Sequence, residues 1–114
     1  MDEKERLKRH RCKVFFRVIN EETQEVVGHL VDLTVQGLRL ISEKPVNPDA
    51  IFLLRLVLPV EIDGTMEFSL PAISRWCTKD NISGFYNAGF EFRKVPLKTV
   101  RMIEKVIGEF CIEE

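Results

Sequence analysis

The sequence predicts a mainly β chain, a six-stranded antiparallel barrel followed by one C-terminal α-helix, and three observations carry that prediction. Period-two patterns of apolar and polar residues dominate from Lys13 to Phe92, short polar turns punctuate them, and a helical period appears only in the last fifth. No strand–helix alternation occurs, so the sheet is antiparallel, and closing it into a small barrel hides its edges. With 114 residues the chain has the size of one domain with one core.

Residues 1–12 read as a flexible basic arm, dense in cations over Arg6-Leu7-Lys8-Arg9-His10-Arg11, and residues 13–114 as the single domain. Lys13 to Asn20, rich in Val, Ile and Phe, pairs with Glu25 to Leu33 across the polar connection Glu21-Glu22-Thr23-Gln24. Asp32-Leu33-Thr34-Val35-Gln36-Gly37 runs from strand into turn, and the alternation resumes at Leu38-Arg39-Leu40. Glu43 to Ala50, with Pro45 and Pro48, is a loop. Ile51 to Leu58 is apolar almost throughout, which predicts a central strand covered on both faces.

Asp63-Gly64 punctuates the next turn, and Thr65 to Leu70 sends Met66, Phe68 and Leu70 inward. Pro71 lacks a backbone donor, which predicts an edge position or a bulge before the strand resumes at Ala72 to Cys77. Beyond the turn from Lys79 to Gly84, Phe85 to Phe92 places Tyr86, Ala88, Phe90 and Phe92 on one face. Pro96 suits a first helical turn, and Leu97, Val100, Ile103, Ile107 and Phe110 make one stripe of an amphipathic helix over 96–112. Such a stripe reads as packing on the barrel rather than as a partner-binding face.

Composition removes several classes. The longest apolar stretch, Ile51 to Val60, is interrupted by Arg55 and Pro59, so no membrane span is expected. The sequence is charged from Asp2 onward without an apolar secretory core, which reads as a cytoplasmic protein. Cys12, Cys77 and Cys111 are odd in number and far apart, and are expected as free thiols. His10 and His29 have no ligand cluster around them, so neither a metal nor a cofactor is expected. No paired carboxylates, no nucleophile beside a base and no phosphate-cradling Gly-x-x-x-x-Gly-Lys loop are visible, and the chain is read as not an enzyme.

Charge is unevenly placed. Residues 1–17 carry seven basic side chains against three acidic ones, so with a net charge of −1 the remainder carries −5. A basic segment on an acidic body argues against wrapping long nucleic acid and for clamping a small anion locally.

At this point the residues resemble the PilZ domains, bacterial receptors for cyclic di-GMP. A basic arm precedes Asp32-x-Thr34-x-x-Gly37, where the family has (Asp/Asn)-x-Ser-x-x-Gly, and Gly89-Phe90-Glu91-Phe92 looks like its Gly-x-x-Phe segment, followed by Pro96 and the helix. The resemblance implies a PilZ-like split barrel whose arm and turn close on cyclic di-GMP from opposite sides, and a signal passed to an unidentified regulated protein. Arg11 falls on the second arginine of the family's Arg-x-x-x-Arg arm and Leu7 on the first; Arg6, Lys8 or Arg9 then takes the missing role, or the register slips so that Arg6 pairs with His10.

The chemistry of these residue types fits that ligand. A guanidinium forks onto phosphate oxygens or guanine O6/N7 and stacks on the base. The Asp32 carboxylate accepts from guanine N1–H and N2–H, the Thr34 hydroxyl bonds base or phosphate, and Gly37 allows a positive φ and close approach of the backbone. The ligand-binding set that the resemblance implies is Arg6, Lys8, Arg9, Arg11, Asp32, Thr34 and Gly37, with Arg75 and Trp76 as secondary positions. Trp76, beside Ala72 and Ile73, reads first as core and second as a stacking face; Arg75 points the other way if the strand alternates. Two other readings stay open. One is an adaptor of the same fold that has lost the nucleotide and works by protein contact in motility or pilus assembly. The other is a small barrel binding single-stranded RNA through the arm and aromatics such as Phe15, Phe16 or Phe85.

Overall fold

The computed structural model describes residues 10–13 and 16–113. Its elements in chain order are β1 (His10–Cys12), β2 (Arg17–Asn20), β3 (Val26–Leu33), β4 (Gly37–Ser42), β5 (Ile51–Ile62), β6 (Thr65–Lys79), β7 (Tyr86–Phe92), α1 (Leu97–Phe110) and β8 (Cys111–Glu113). All pairings are antiparallel, in the order β2-β5-β6-β7-β4-β3, and a β2–β3 ladder closes these six strands into a barrel. β1 and β8 are added outside the ring. β2 takes the first half of β3, through Arg17↔His29 to Ile19↔Val26, while β1 takes its last residues, through His10↔Leu33 and Arg11↔Asp32. The three residues expected at the end of the flexible arm are thus a strand, and the strand expected from Lys13 begins only at Arg17.

Alternation makes the barrel wall. In β5 Leu54, Leu56 and Leu58 are buried, while Ile51 and Leu53 on the opposite face are exposed. The expectation of a strand covered on both faces is therefore corrected: an apolar run of this length served one buried face and one half-open face. Asp63 and Gly64 both have positive φ and join β5 to β6 by the two-residue turn that matches strand twist. β6 is a single strand of 15 residues between β5 and β7, not an edge strand. Pro71 is tolerated because the β7 ladder starts at Ala72, one residue further on, and the Pro71 carbonyl accepts from Arg93 N at 2.9 Å.

The helix belongs to the core. Ile103 and Val106 are fully buried in one apolar cluster with Phe16, Leu30, Leu40, Leu56 and Leu70, and the Phe110 ring meets Phe16 edge-on at 5.3 Å. Lys105 pairs with Asp63 of the β5–β6 turn. Leu97, at the start of the expected stripe, is exposed instead, since the stripe centres on Ile103 and Val106. The helix is not long or apolar enough to cross a membrane.

One covalent feature departs from expectation. Cys12 and Cys111 face each other across β1 and β8 and are joined by a disulfide, leaving Cys77 free. The separation of 99 residues conceals the pairing, because only the barrel brings the two short strands together.

Candidate functional site

Two bulges on the outer wall build a cleft. In β3 the register passes from Leu30↔Leu40 to Asp32↔Arg39, so Val31 is extra, and in β6 it passes from Ser74↔Phe90 to Trp76↔Gly89, so Arg75 is extra. A bulge re-aims the side chains beside it. Ser74 and Cys77 keep to the inner side, paired with the buried Phe90 and Ala88, and both Arg75 and Trp76 turn outward into the cleft. The expectation that Arg75 points away from Trp76 fails for this reason.

The cleft has a volume of about 300 Å³. Leu33, Leu38 and Phe90 form its floor, and Asp32, Thr34, Gly37, Arg39, Arg75, Trp76 and Glu91 its polar and aromatic rim. Trp76 is 42% exposed, so it is a wall of the cleft and not core. Its indole lies against Gly89, where a Cβ would stand 2.2 Å from Nε1. Any side chain at 89 would push the ring off the strand. The Gly-x-x-Phe segment therefore does two jobs: Gly89 seats the indole and Phe92 is buried in the core.

Asp32 is 2% exposed, and its Oδ2 accepts from Arg39 Nε at 2.7 Å, while Arg39 Nη1 donates to Asn87 Oδ1 at 2.7 Å. Arg75 Nε donates to Glu91 Oε1 at 2.7 Å across the rim. Thr34 stabilises its own turn: its Oγ1 accepts from the backbone N–H of Gln36 and of Gly37, each at 3.1 Å, and its N–H donates to Gly37 O at 2.9 Å. Gly37 does not take a positive φ, contrary to expectation. It is required for close approach, since a Cβ there would lie 2.2 Å from Phe90 O.

The structure thus brings Asp32, Thr34, Gly37, Arg75 and Trp76 to one cleft, with Arg11 on β1 directly opposite Asp32 in register. Arg6, Lys8 and Arg9 lie outside the described residues. Of the aromatics considered for RNA, Phe16 is fully buried, Phe85 lies away from the cleft, and Phe15 is outside the described residues. Arg39, Asn87 and Glu91 were not anticipated. A signal for Arg39 existed: a turn closed by Leu33 and Leu38 places Asp32 opposite Arg39.

A model of the PilZ domain matches residues 3–109. No curated protein matches the chain. Among solved structures, the PilZ domain with c-di-GMP of YcgR from Escherichia coli is 14% identical, with a TM-score of 0.70 over 92% of this chain and 89% of that one. The K. pneumonia MrkH–c-di-GMP complex is 17% identical, with a TM-score of 0.69 over 91% of this chain and 51% of that one. The Bacillus subtilis inhibitor of motility MotI/DgrA is 14% identical, with a TM-score of 0.68 over 89% of this chain and 48% of that one. The chain spans about half the length of these last two proteins.

Proposed function

The chain belongs to the PilZ domain family, and from that premise we propose that it is a receptor for cyclic di-GMP that binds at the cleft over β3, β4, β6 and β7 and acts on a partner protein. The observation that carries the reading is the convergence of Asp32, Arg39, Arg75 and the outward-facing Trp76 on one small cleft. A guanine stacks on the indole, and the covered Asp32 carboxylate acts through Arg39, whose guanidinium it holds at 2.7 Å beside the base.

Size and charge say what the cleft leaves undone. At about 300 Å³ it is at the small end of ligand pockets, about 300–1,000 Å³. It takes one base and the nearest phosphate of a dinucleotide. Within it the charges of Arg39 and Arg75 are matched by Asp32 and Glu91, so it offers no surplus positive charge for two phosphates. That surplus comes from the arm, through Arg6, Lys8 and Arg9, with Arg11 at its root opposite Asp32, closing over the ligand from the β1 side. Ordering of the arm changes the surface offered to the partner and is the means of signalling.

Calorimetric titration of cyclic di-GMP into the wild type, Arg11→Ala and Asp32→Ala tests the proposal. Micromolar or tighter binding, weakened about ten- to a hundredfold by Arg11→Ala, is expected for loss of one charge-assisted contact. Amide exchange over residues 4–12 should slow at saturating ligand. Absence of both heat and thermal shift would overturn the receptor reading in favour of an adaptor that works by protein contact.

A further inference from the structure

We propose that Cys12 and Cys111 are a reversible thiol–disulfide latch that fixes the strand carrying Arg11 beside the cleft. Its effect on ligand affinity rests on the receptor reading above; its effect on the strand does not.

β1 is three residues long, flanked on one side by the end of β3 and on the other by β8, itself three residues. Strands this short are held by few hydrogen bonds and open at low cost when nothing else ties them. The tie is covalent. Cys12 lies opposite Cys111, and the disulfide joins β1 to a strand continuous with α1, whose Ile103 and Val106 are locked in the core. Lys13 N–H donates to Phe110 O at 2.8 Å beside it. The residue before Cys12 is Arg11, opposite Asp32 of the cleft. With the bond formed, the root of the arm is already in place when ligand arrives, and less ordering has to accompany binding.

Both cysteines are half-buried, so small thiols and disulfides can reach the sulfurs. In the closing step the Cys12 thiolate attacks a low-molecular-weight disulfide, such as oxidised glutathione, and releases one thiolate. The Cys111 thiolate then attacks Cys12 Sγ in the mixed disulfide and releases the second. Two protein thiols lose two protons and two electrons, and the small disulfide is reduced to two thiols; opening is the reverse exchange. Cys77 accepts a hydrogen bond from Val46 N–H at 3.4 Å, on another part of the barrel, and serves as an internal control.

The test equilibrates the full chain in buffers of varied reduced to oxidised glutathione. It reads the linked peptides under non-reducing conditions, amide exchange over residues 10–13, and calorimetric binding of cyclic di-GMP. The linked Cys12–Cys111 peptide should appear and disappear reversibly, exchange at 10–13 should slow about tenfold or more when it is present, and affinity should rise several-fold. Cys12→Ser should show the reduced values in every buffer, and Cys77→Ser should follow the wild type. No linked peptide in oxidising buffer, or a link that leaves exchange at 10–13 unchanged, overturns the latch. Equal affinity in both states overturns its effect on binding, whereas no binding in either state, with link and protection intact, overturns the receptor reading and leaves the latch standing.

Discussion

Two of the arginine–carboxylate pairs on the barrel wall look alike as contacts and differ in their surroundings. Arg39 holds Asp32 at 2.7 Å, with the Asp32 side chain almost wholly covered. Arg55 holds Glu21 at 3.1 Å, with both side chains partly open to solvent. The second pair closes on its own neighbours: Ser69 Oγ donates to Glu21 Oε1 at 2.5 Å and Arg55 Nη2 to Gln24 Oε1 at 2.8 Å. The first instead stands at the rim of a cleft with an apolar floor and an indole wall. An ion pair on a barrel surface carries no argument for a site by itself; a covered one beside a cavity and an aromatic face supports the proposed one.

Removing the covered carboxylate should break this contrast most strongly. Asp32→Ala is expected to cost about 2 kcal/mol of stability in urea denaturation, because it leaves the Arg39 guanidinium without its counter-ion, and to reduce cyclic di-GMP affinity by about a hundredfold or more. Next comes the wall. In Gly89→Ala the new Cβ displaces the Trp76 indole, and affinity should fall about tenfold with a stability loss of about 1–3 kcal/mol from overpacking. Calorimetry and urea midpoints check both.

On the other side of the comparison, Glu21→Gln should leave ligand affinity unchanged. Glu21 supplies the smallest effect, and a pH-dependent one. Hydrogen bonds from Ser69 and Gln24, and then the Arg55 charge, hold its pKa below the usual 4.5. A carboxylate with a depressed folded-state pKa favours the folded state above its unfolded pKa, and that contribution is lost as pH falls through the folded value. Acidifying below pH 4.5 should therefore narrow the stability difference between wild type and Glu21→Gln. A difference that widens instead would remove the network from the account.

Most of the barrel was legible because one period served throughout. The Asp63-Gly64 turn, the helix after Pro96 and the inward set of β7 follow from alternation and turn chemistry alone. Illegible parts share one cause: they depend on register between distant strands. One extra residue at Arg75 reverses which side a side chain takes, and nothing local in Ser74-Arg75-Trp76 announces it. Gly37 and Gly89 are needed for what lies across the ladder, Phe90 O and the Trp76 ring, not for their own φ. The cysteine pair was hidden for the same reason.

Trp76 gives the molecule a property of another kind. It is the chain's one tryptophan, and its exposed ring forms part of the cleft wall. Almost all indole emission from this protein therefore originates at the proposed binding surface, with no second fluorophore of its type to dilute the signal. A base stacked on the ring would quench it, so the unlabelled protein reports its own occupancy optically, at concentrations far below those calorimetry needs.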